Sequence, residues 1–365
     1  MDRGRVRGLD GIRALAALLV FAEHQFWPAQ WMMTGRLGVE IFFVLSGYLI
    51  VGILTGRANL IEAGEASRKG EVVRFFLHRS FRIFPAYYGL IAVFSMLAVF
   101  GLYSVNWNLY PTYLTYSTNW YFAHILHDWP KGQNFGHFWT LAIEEQFYLF
   151  LAPVFLCLAP RLHKAACLAL VGLAALSATY MIATSAAWFT VGMDSFVNFG
   201  YLALGGLISQ STRPLPGTSN RPLLGCIAGF VAIFALCVAI RPKNGAEFAV
   251  SVTMGLASAL TIWNIVRHQQ SRIVGLLEVA PLRWLGRISY GFYLYHIFIK
   301  LPPTGIAFKG VDLIIVANLA VTIALAQASW MLIESPSLKL RDRLLSRRGQ
   351  AKDGAAVATA GSAPG

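Results

Sequence analysis

The sequence predicts an all-α polytopic membrane protein, a bundle of about ten transmembrane helices with both chain ends in the cytoplasm. Its 365 residues are 56% hydrophobic and only 13% charged, with a mean hydropathy of +0.57. A water-soluble domain of this size does not carry so many apolar residues. The formal net charge is +13, but the basic residues are dispersed between apolar runs, which favours a membrane protein over one that binds nucleic acid.

Ten apolar runs are long enough to cross the roughly 30 Å of bilayer hydrocarbon. They lie at residues 12–33, 37–55, 83–103, 138–159, 165–186, 188–209, 222–240, 246–266, 288–308 and 311–334. With the N-terminus inside, 24 of the 30 Lys and Arg residues fall in inner segments, an asymmetry that predicts cytoplasmic chain ends. Residues 349–365 are of low complexity and predicted to be disordered, which leaves 1–348 as one transmembrane domain.

The stretch LDGIRALAALLVFAEHQF, residues 9–26, begins the first predicted span and contains titratable residues near both of its ends. Arg13 and His24 are eleven residues apart, within about 20° of three whole turns, so they share one helix face roughly 16 Å apart. Such a face is costly against lipid and indicates a lined cavity. A neutral imidazole can take a proton from a hydroxyl, so His24 is the predicted catalytic residue, with Asp10 in support. The alternative is a histidine that only hydrogen-bonds another helix.

Two arginines mark the inner entrance of the third predicted span. Arg79 and Arg82 are one helical turn apart at the end of the apolar stretch VVRFFLHRSFRIFP, which is predicted to form an amphipathic helix on the inner membrane surface. Paired guanidinium groups suit a phosphate, and together with Arg13 they could hold a polyphosphate. The alternative is ordinary anchoring of a span by positive charge.

The fourth predicted span begins with GHFWTLAIEEQFYLF and carries adjacent carboxylates. Helical spacing places one stripe of residues toward the bundle interior. The stripe consists of His137, Leu141, Glu144 and Tyr148. We expect Glu144 to orient His24 or to stabilise its imidazolium, with Glu145 and Glu40 as weaker supporting candidates. The alternative is that these carboxylates tie helices together.

The outer segment 104–138 is nearly uncharged and rich in aromatic residues. These are Tyr110, Tyr113, Tyr116, Trp120, Tyr121, Trp129, Phe135 and Phe138. They could form a floor for sugar rings or an interfacial belt without a ligand, and both interpretations stay open. His124, His127 and Asp128 supply too few ligands for a metal site. The four cysteines lie in apolar runs, so neither a metal nor a disulfide is predicted. His296 is interpreted as a packed polar residue rather than a second base.

Blocks in the same order along nearly the whole chain resemble membrane-bound acyltransferase family 3. They are LDGIRALA with His24, GVEIFFVLSGYLI, HRSFRIFPAYY, FWTLAIEEQFYLF, ISYGFYLYHIFI and a final IESP. Members of that family O-acylate surface polysaccharides, lipopolysaccharides, Nod factors and macrolides. The resemblance implies an arginine, ten residues, histidine motif, an arginine pair and an acidic block. The matching residues are Arg13 and His24, Arg79 and Arg82, and Glu144 and Glu145.

The predicted function is O-acetyl transfer at a bacterial inner membrane, from cytoplasmic acetyl-CoA to a hydroxyl of a cell-surface or exported glycan. The three arginines hold the nucleotide end of acyl-CoA, and the thioester meets His24 in mid-membrane. His24 either deprotonates the hydroxyl or briefly carries the acyl group, and the sequence does not separate these routes. Many members carry an extra periplasmic hydrolase-like domain that these residues do not include, so acceptor choice is expected to lie in the membrane part.

The expected partners are acyl-CoA as co-substrate, a glycan or lipid-linked sugar as acceptor, and membrane lipids. No bound cofactor and no nucleic acid are expected. Two alternatives stay open. One is a transporter of an anionic or lipid-linked solute, since ten spans with intramembrane His, Glu and Arg suit that function as well. The other keeps the enzyme but takes a small secreted metabolite, such as a macrolide, as the acceptor.

Overall fold

The computed structural model is a helical bundle. It describes residues 5–25, 32–129, 135–184, 186–240, 246–299, 307–308 and 311–346. Among these residues, extended structure is limited to a two-residue antiparallel pair, β1 (Ala307–Phe308) and β2 (Val311–Asp312). The predicted all-helical class is therefore confirmed. The predicted disordered tail, 349–365, lies outside the described residues.

The helices differ widely in length. They are α1 (Leu9–Gln25), α2 (Thr34–Glu62), α3 (Arg68–Val99), α4 (Tyr110–Leu114), α5 (Thr118–Tyr121), α6 (Phe138–Cys157), α7 (His163–Ala183), α8 (Trp188–Met193), α9 (Ser195–Ser211), α10 (Arg221–Ile240), α11 (Ala246–Arg267), α12 (Arg272–Leu277), α13 (Ala280–Arg287), α14 (Ser289–Tyr295) and α15 (Leu313–Ser329). Beyond α15 the chain stays helical through a π-helical turn, Trp330–Glu334, to Ser346.

Seven helices of the described chain are long and apolar enough to span a membrane, and this is an integral membrane protein. They are α2, α3, α6, α7, α10, α11 and α15 with its continuation. In the predicted first and sixth spans the described residues form 17-residue helices, α1 and α9, and residues 26–31 of the first span lie outside the described part of the chain. In the predicted ninth span the structure describes the seven-residue α14, and residues 300–306 are likewise not described. Seven candidate spans are found among the described residues, so the predicted count of about ten is not confirmed.

The stretch VVRFFLHRSFRIFP, predicted to be a helix on the inner membrane surface that leads into the third span, is helical and lies in the first part of the 32-residue α3. Ser67 caps this helix by accepting a hydrogen bond from the Gly70 amide at 3.2 Å. Pro85 lies inside the helix and has no amide hydrogen to donate to Phe81 four residues earlier. The hydroxyl of Ser337 donates to that Phe81 carbonyl at 2.7 Å. The helix therefore continues past the proline because the C-terminal helix satisfies the freed carbonyl.

Helix α2 forms the centre of the bundle, with α1 on one side and α9 on another. Glycines allow the backbones to touch. A Cβ at Gly47 would overlap the carbonyl oxygen of Leu202, and one at Gly205 would overlap that of Val44. Small residues at such crossings are the usual means of close helix packing in membranes. Since Gly38 meets the backbone of α1 in the same way at Ala16, α1 is held with a fixed face toward the interior.

Candidate active site

Three cavities bring the predicted site residues together. The arginine cavity, about 280 Å³, is lined by Arg79 and Arg82. The central cavity, about 70 Å³, is lined by Arg13 and Glu144. The histidine cavity, about 480 Å³, is lined by His24. Val39 and Tyr293 line both the central and the histidine cavities, so those two cavities adjoin.

The arginine cavity is strongly cationic. Its polar and charged lining residues are Arg57, Glu71, Arg74, His78, Arg79, Arg82 and Arg341. Glu71 pairs with Arg57 at 3.5 Å, whereas within the described chain neither Arg79 nor Arg82 forms a salt bridge. The Arg79 guanidinium lies 5.1 Å from the ring centre of Tyr148. Arg341 pairs with Asp342 at 2.7 Å, which leaves Arg74, Arg79 and Arg82 as the guanidinium groups of this cavity without a salt bridge in the described chain. Guanidinium groups of this kind suit a polyanion.

Sequence reasoning missed three of these arginines, Arg57, Arg74 and Arg341. Arg341 comes from the C-terminal helix, which packs on α3 through the bond from Ser337 to the Phe81 carbonyl. A pairing between residues so far apart in sequence leaves no local signal. In the sequence, Arg57 and Arg74 stand out only as part of the positive charge of the predicted inner loop. The structure thus enlarges the predicted pair into a five-arginine lining.

In the central cavity, Glu144 accepts hydrogen bonds from the hydroxyls of Ser46 at 2.7 Å and Tyr148 at 3.2 Å. Arg13 is attracted by Glu144 and repelled by Arg79, although the central and the arginine cavities share no lining residue. In the described structure the Nε of Arg13 is buried without a hydrogen-bond partner. Glu144 therefore lies beside Arg13 rather than in the cavity of His24, and its predicted support of the imidazole stays a prediction.

The two other acidic candidates near Arg13 differ in surroundings. Asp10 accepts a hydrogen bond from Arg5 at 2.6 Å and interacts electrostatically with Arg13. Glu145 turns one oxygen into the interior, where that atom is buried and without a hydrogen-bond partner among the described residues. Asp10 belongs to a charged cluster at the start of α1, and Glu145 contributes negative charge next to Glu144.

In the histidine cavity, His24 is half-buried and its Nδ1 lies 2.9 Å from the carbonyl oxygen of Val20. A carbonyl oxygen only accepts, so Nδ1 carries the hydrogen and, in the neutral ring, Nε2 carries the lone pair. Glu23, beside His24, caps the start of α2 by accepting the Gly35 amide hydrogen at 2.6 Å. The local helix thus selects one tautomer of His24, with Nε2 as the basic nitrogen.

Two further histidines lie near His24, and one of them is His296, predicted from the sequence to be a packed polar residue. His296 is fully buried, and its Nε2 lies 3.4 Å from Nδ1 of His24. The two ring centres are 4.9 Å apart. His137 lines the same cavity, with its ring centre 5.5 Å from that of His296. The motif ISYGFYLYHIF shows His296 within an apolar stretch. Its contact with His24, which is 272 residues away in sequence, could not be derived from residue spacing.

A buried ion pair forms another wall of the histidine cavity. Arg36 donates to Glu40 at 2.9 Å, and Ser251 donates to the same carboxylate oxygen at 2.5 Å. Arg36 also donates to the Gly192 carbonyl at 2.9 Å and to Asn198 at 3.2 Å. Glu40 is thus an ion-pair partner of Arg36, which lines the cavity. The i, i+4 spacing of the pair was the overlooked signal.

The outer aromatic residues divide into two sets. Tyr113, Phe135 and Phe138 are buried and pack on one another, so they are structural. Trp120 and Trp129 are about half exposed, at 53% and 47%. Only Trp129 of these two lines the histidine cavity. A sugar floor made of the whole segment is therefore not seen among its described residues, and Trp129 is the half-exposed tryptophan that lines the same cavity as His24.

The fold and the site define an integral membrane protein with one cavity lined by five arginines and another lined by the half-buried His24. A family model described as an acyltransferase domain, acyltransferase 3, matches residues 6–331. The chain belongs to this acyltransferase family, as the sequence blocks predicted.

Among curated relatives, a peptidoglycan O-acetyltransferase, OatA, of Listeria monocytogenes is 30% identical over 93% of this chain and 56% of its own length. An O-acetyltransferase, OatA, of Staphylococcus aureus is 28% identical over 91% of this chain and 57% of its own length. The chain thus spans a little over half the length of these relatives. No solved structure matches it.

Proposed function

We propose that this protein transfers an acetyl group from cytoplasmic acetyl-CoA, across the membrane, to a hydroxyl of a cell-envelope glycan. The observation that carries the proposal is the presence of three cavities, one lined by five arginines, one by Arg13 and one by His24, of which the last two adjoin. The multiple phosphates of CoA match the arginine cavity, and the extended pantetheine arm matches the roughly 16 Å rise between Arg13 and His24. The names of the relatives support peptidoglycan as the acceptor.

The chemistry assigned to His24 follows from its tautomer. Its Nε2 takes the proton of the acceptor hydroxyl while that oxygen attacks the thioester carbonyl. The carbon–sulfur bond breaks, and the proton passes to the departing sulfur of CoA. Trp129 stacks on a sugar ring at the mouth of the histidine cavity, where it is half exposed. The arginine cavity faces the cytoplasm in this proposal, with both chain ends on that side and the membrane being the bacterial inner membrane.

Purified protein with acetyl-CoA and peptidoglycan fragments is expected to release free CoA only when the glycan is present. One ester per released thiol should appear on the glycan by mass spectrometry. A glycan sample with its hydroxyls already blocked serves as the control. Solute movement across a membrane without CoA release would contradict the proposal and support a transporter instead.

A further inference from the structure

Two backbone carbonyls determine which way hydrogen bonds run between the imidazoles of His24 and His296. The Nδ1 of His296 lies 2.6 Å from the carbonyl oxygen of Tyr293 in α14. Because that oxygen only accepts, Nδ1 of His296 carries a hydrogen and Nε2 carries the lone pair in the neutral ring. The carbonyl of Val20 in α1 likewise requires a hydrogen on Nδ1 of His24.

The acceptor nitrogen of one ring therefore faces the donor nitrogen of the other. His296 Nε2 and His24 Nδ1 are 3.4 Å apart, and the same Nδ1 is 2.9 Å from the Val20 oxygen. One N–H shared between two acceptors is a common arrangement near helix turns. The geometry gives the hydrogen of His24 two acceptors, one on its own helix and one on α14.

We propose that His296 is a positioning residue for His24, holding the Nδ1–H tautomer and stabilising, through the hydrogen bond that it accepts, the positive charge that forms when His24 takes a proton at Nε2. This inference rests on the proposed function, in which His24 is the base. The acceptor hydroxyl gives its proton to Nε2 of His24 and the CoA sulfur later receives it. His296 itself neither gains nor loses a proton, because it accepts a hydrogen bond through Nε2 and keeps its own hydrogen on Nδ1.

The full burial of His296 gives its contact with His24 an energetic consequence. His296 is 0% exposed, so its Nε2 has little access to water, and a buried acceptor left without a donor is costly. A neutral imidazole here also avoids the penalty of placing a second full charge beside His24. The role is comparable with that of the carboxylate that orients histidine in hydrolytic triads, performed by a group without charge.

Other titratable and charged groups face the same cavity and set the background for any pH measurement. They are Glu23 on α1, Arg36 on α2, His137 before α6, Glu247 on α11 and Tyr293 on α14. His137 places its Nε2 3.2 Å from the Leu294 carbonyl oxygen, so its hydrogen lies on that nitrogen. All of these groups are kept unchanged in the variants below.

The reactivity of His24 toward diethyl pyrocarbonate tests the inference without any acetyl transfer. The reagent modifies neutral imidazole, so the extent of modification at His24, followed by peptide mass analysis, rises with pH through a midpoint. We expect His296→Leu to move this midpoint down by about one pH unit, because a hydrogen bond to a charged group is worth that much. His296→Gln, whose amide oxygen can accept, should move it by less than half as much. His163→Gln is the control, a fully buried histidine bonded to Thr55 and the Phe155 carbonyl, and should leave it in place.

The pH dependence of acetyl transfer gives the second readout. In a plot of transfer rate against pH, the rise on the acid side should move to lower pH in His296→Leu. Loss of packing alone would lower the maximal rate without moving that rise. If His296→Leu does not insert, His296→Met replaces it. An unchanged midpoint in the folded non-accepting variant would overturn the role of His296. Absence of transfer by the wild-type protein, with the midpoint shifted as expected, would overturn the proposed function and leave the contact between the imidazoles standing.

Discussion

Replacing His24 with alanine is expected to reduce acetyl transfer by about 10²- to 10⁴-fold, the contribution typical of a positioned base. The fold should survive, because His24 is only half-buried and bonds a carbonyl of its own helix. Binding of acetyl-CoA should be nearly unchanged, since the arginine cavity does not include His24. Ester formation on the glycan and acetyl-CoA affinity, measured on the same purified sample, check both statements.

A half-buried histidine remote from the three cavities provides the control. His268, at the end of α11, lines none of them, and His268→Ala should transfer at the wild-type rate. Near-normal transfer by His24→Ala would remove His24 from the mechanism. If His24→Ala loses transfer as expected, single-turnover peptide analysis of the wild type distinguishes direct transfer from an acetyl group carried by the imidazole of His24.

The variant Arg79→Gln/Arg82→Gln should raise the KM for acetyl-CoA by about 10- to 100-fold, the loss expected when hydrogen bonds to charged groups are removed. The effect on kcat should be small, because the nucleotide end contributes binding rather than chemistry. Acetyl-pantetheine, which lacks the nucleotide, gives a sharper comparison. The wild type should strongly favour acetyl-CoA over acetyl-pantetheine, and the variant should lose most of that preference.

Arg343→Gln is the matched control, because Arg343 is exposed on the C-terminal helix near Arg341 and lines none of the three cavities. It should leave the preference intact. An equal loss in Arg343→Gln would indicate a general effect of surface charge. Full retention of the preference in the double variant would show that the nucleotide binds elsewhere.

Periodicity and composition predicted the membrane bundle and the inward face of α1 because both follow from local physical rules. Apolar runs need lipid or a core, and residues eleven apart return to one helix face. The predicted count of about ten spans is not confirmed, because seven helices of the described chain have the length and composition of a span. Among the described residues α1 and α9 have 17 residues each, and both pack against α2.

The candidate site was predictable to the extent that it is local. Arg79 with Arg82 and Arg13 with His24 follow from helix spacing, and the structure places each pair as that spacing requires. The contacts of Arg341 with the arginine cavity and of His296 with His24 join distant parts of the chain. The position of Glu144 beside Arg13 depends on how α6 meets α1. Such pairings are set by tertiary packing, which a single sequence does not display.

The most direct test places donor and acceptor on opposite sides of a sealed membrane. Proteoliposomes of uniform orientation, with acetyl-CoA supplied only on the side of the arginine cavity and glycan only on the other, should form ester on the glycan and release CoA on the donor side. Reversing the two substrates should abolish the reaction. Ester formation only when both substrates share one side would contradict a path through the bilayer to His24.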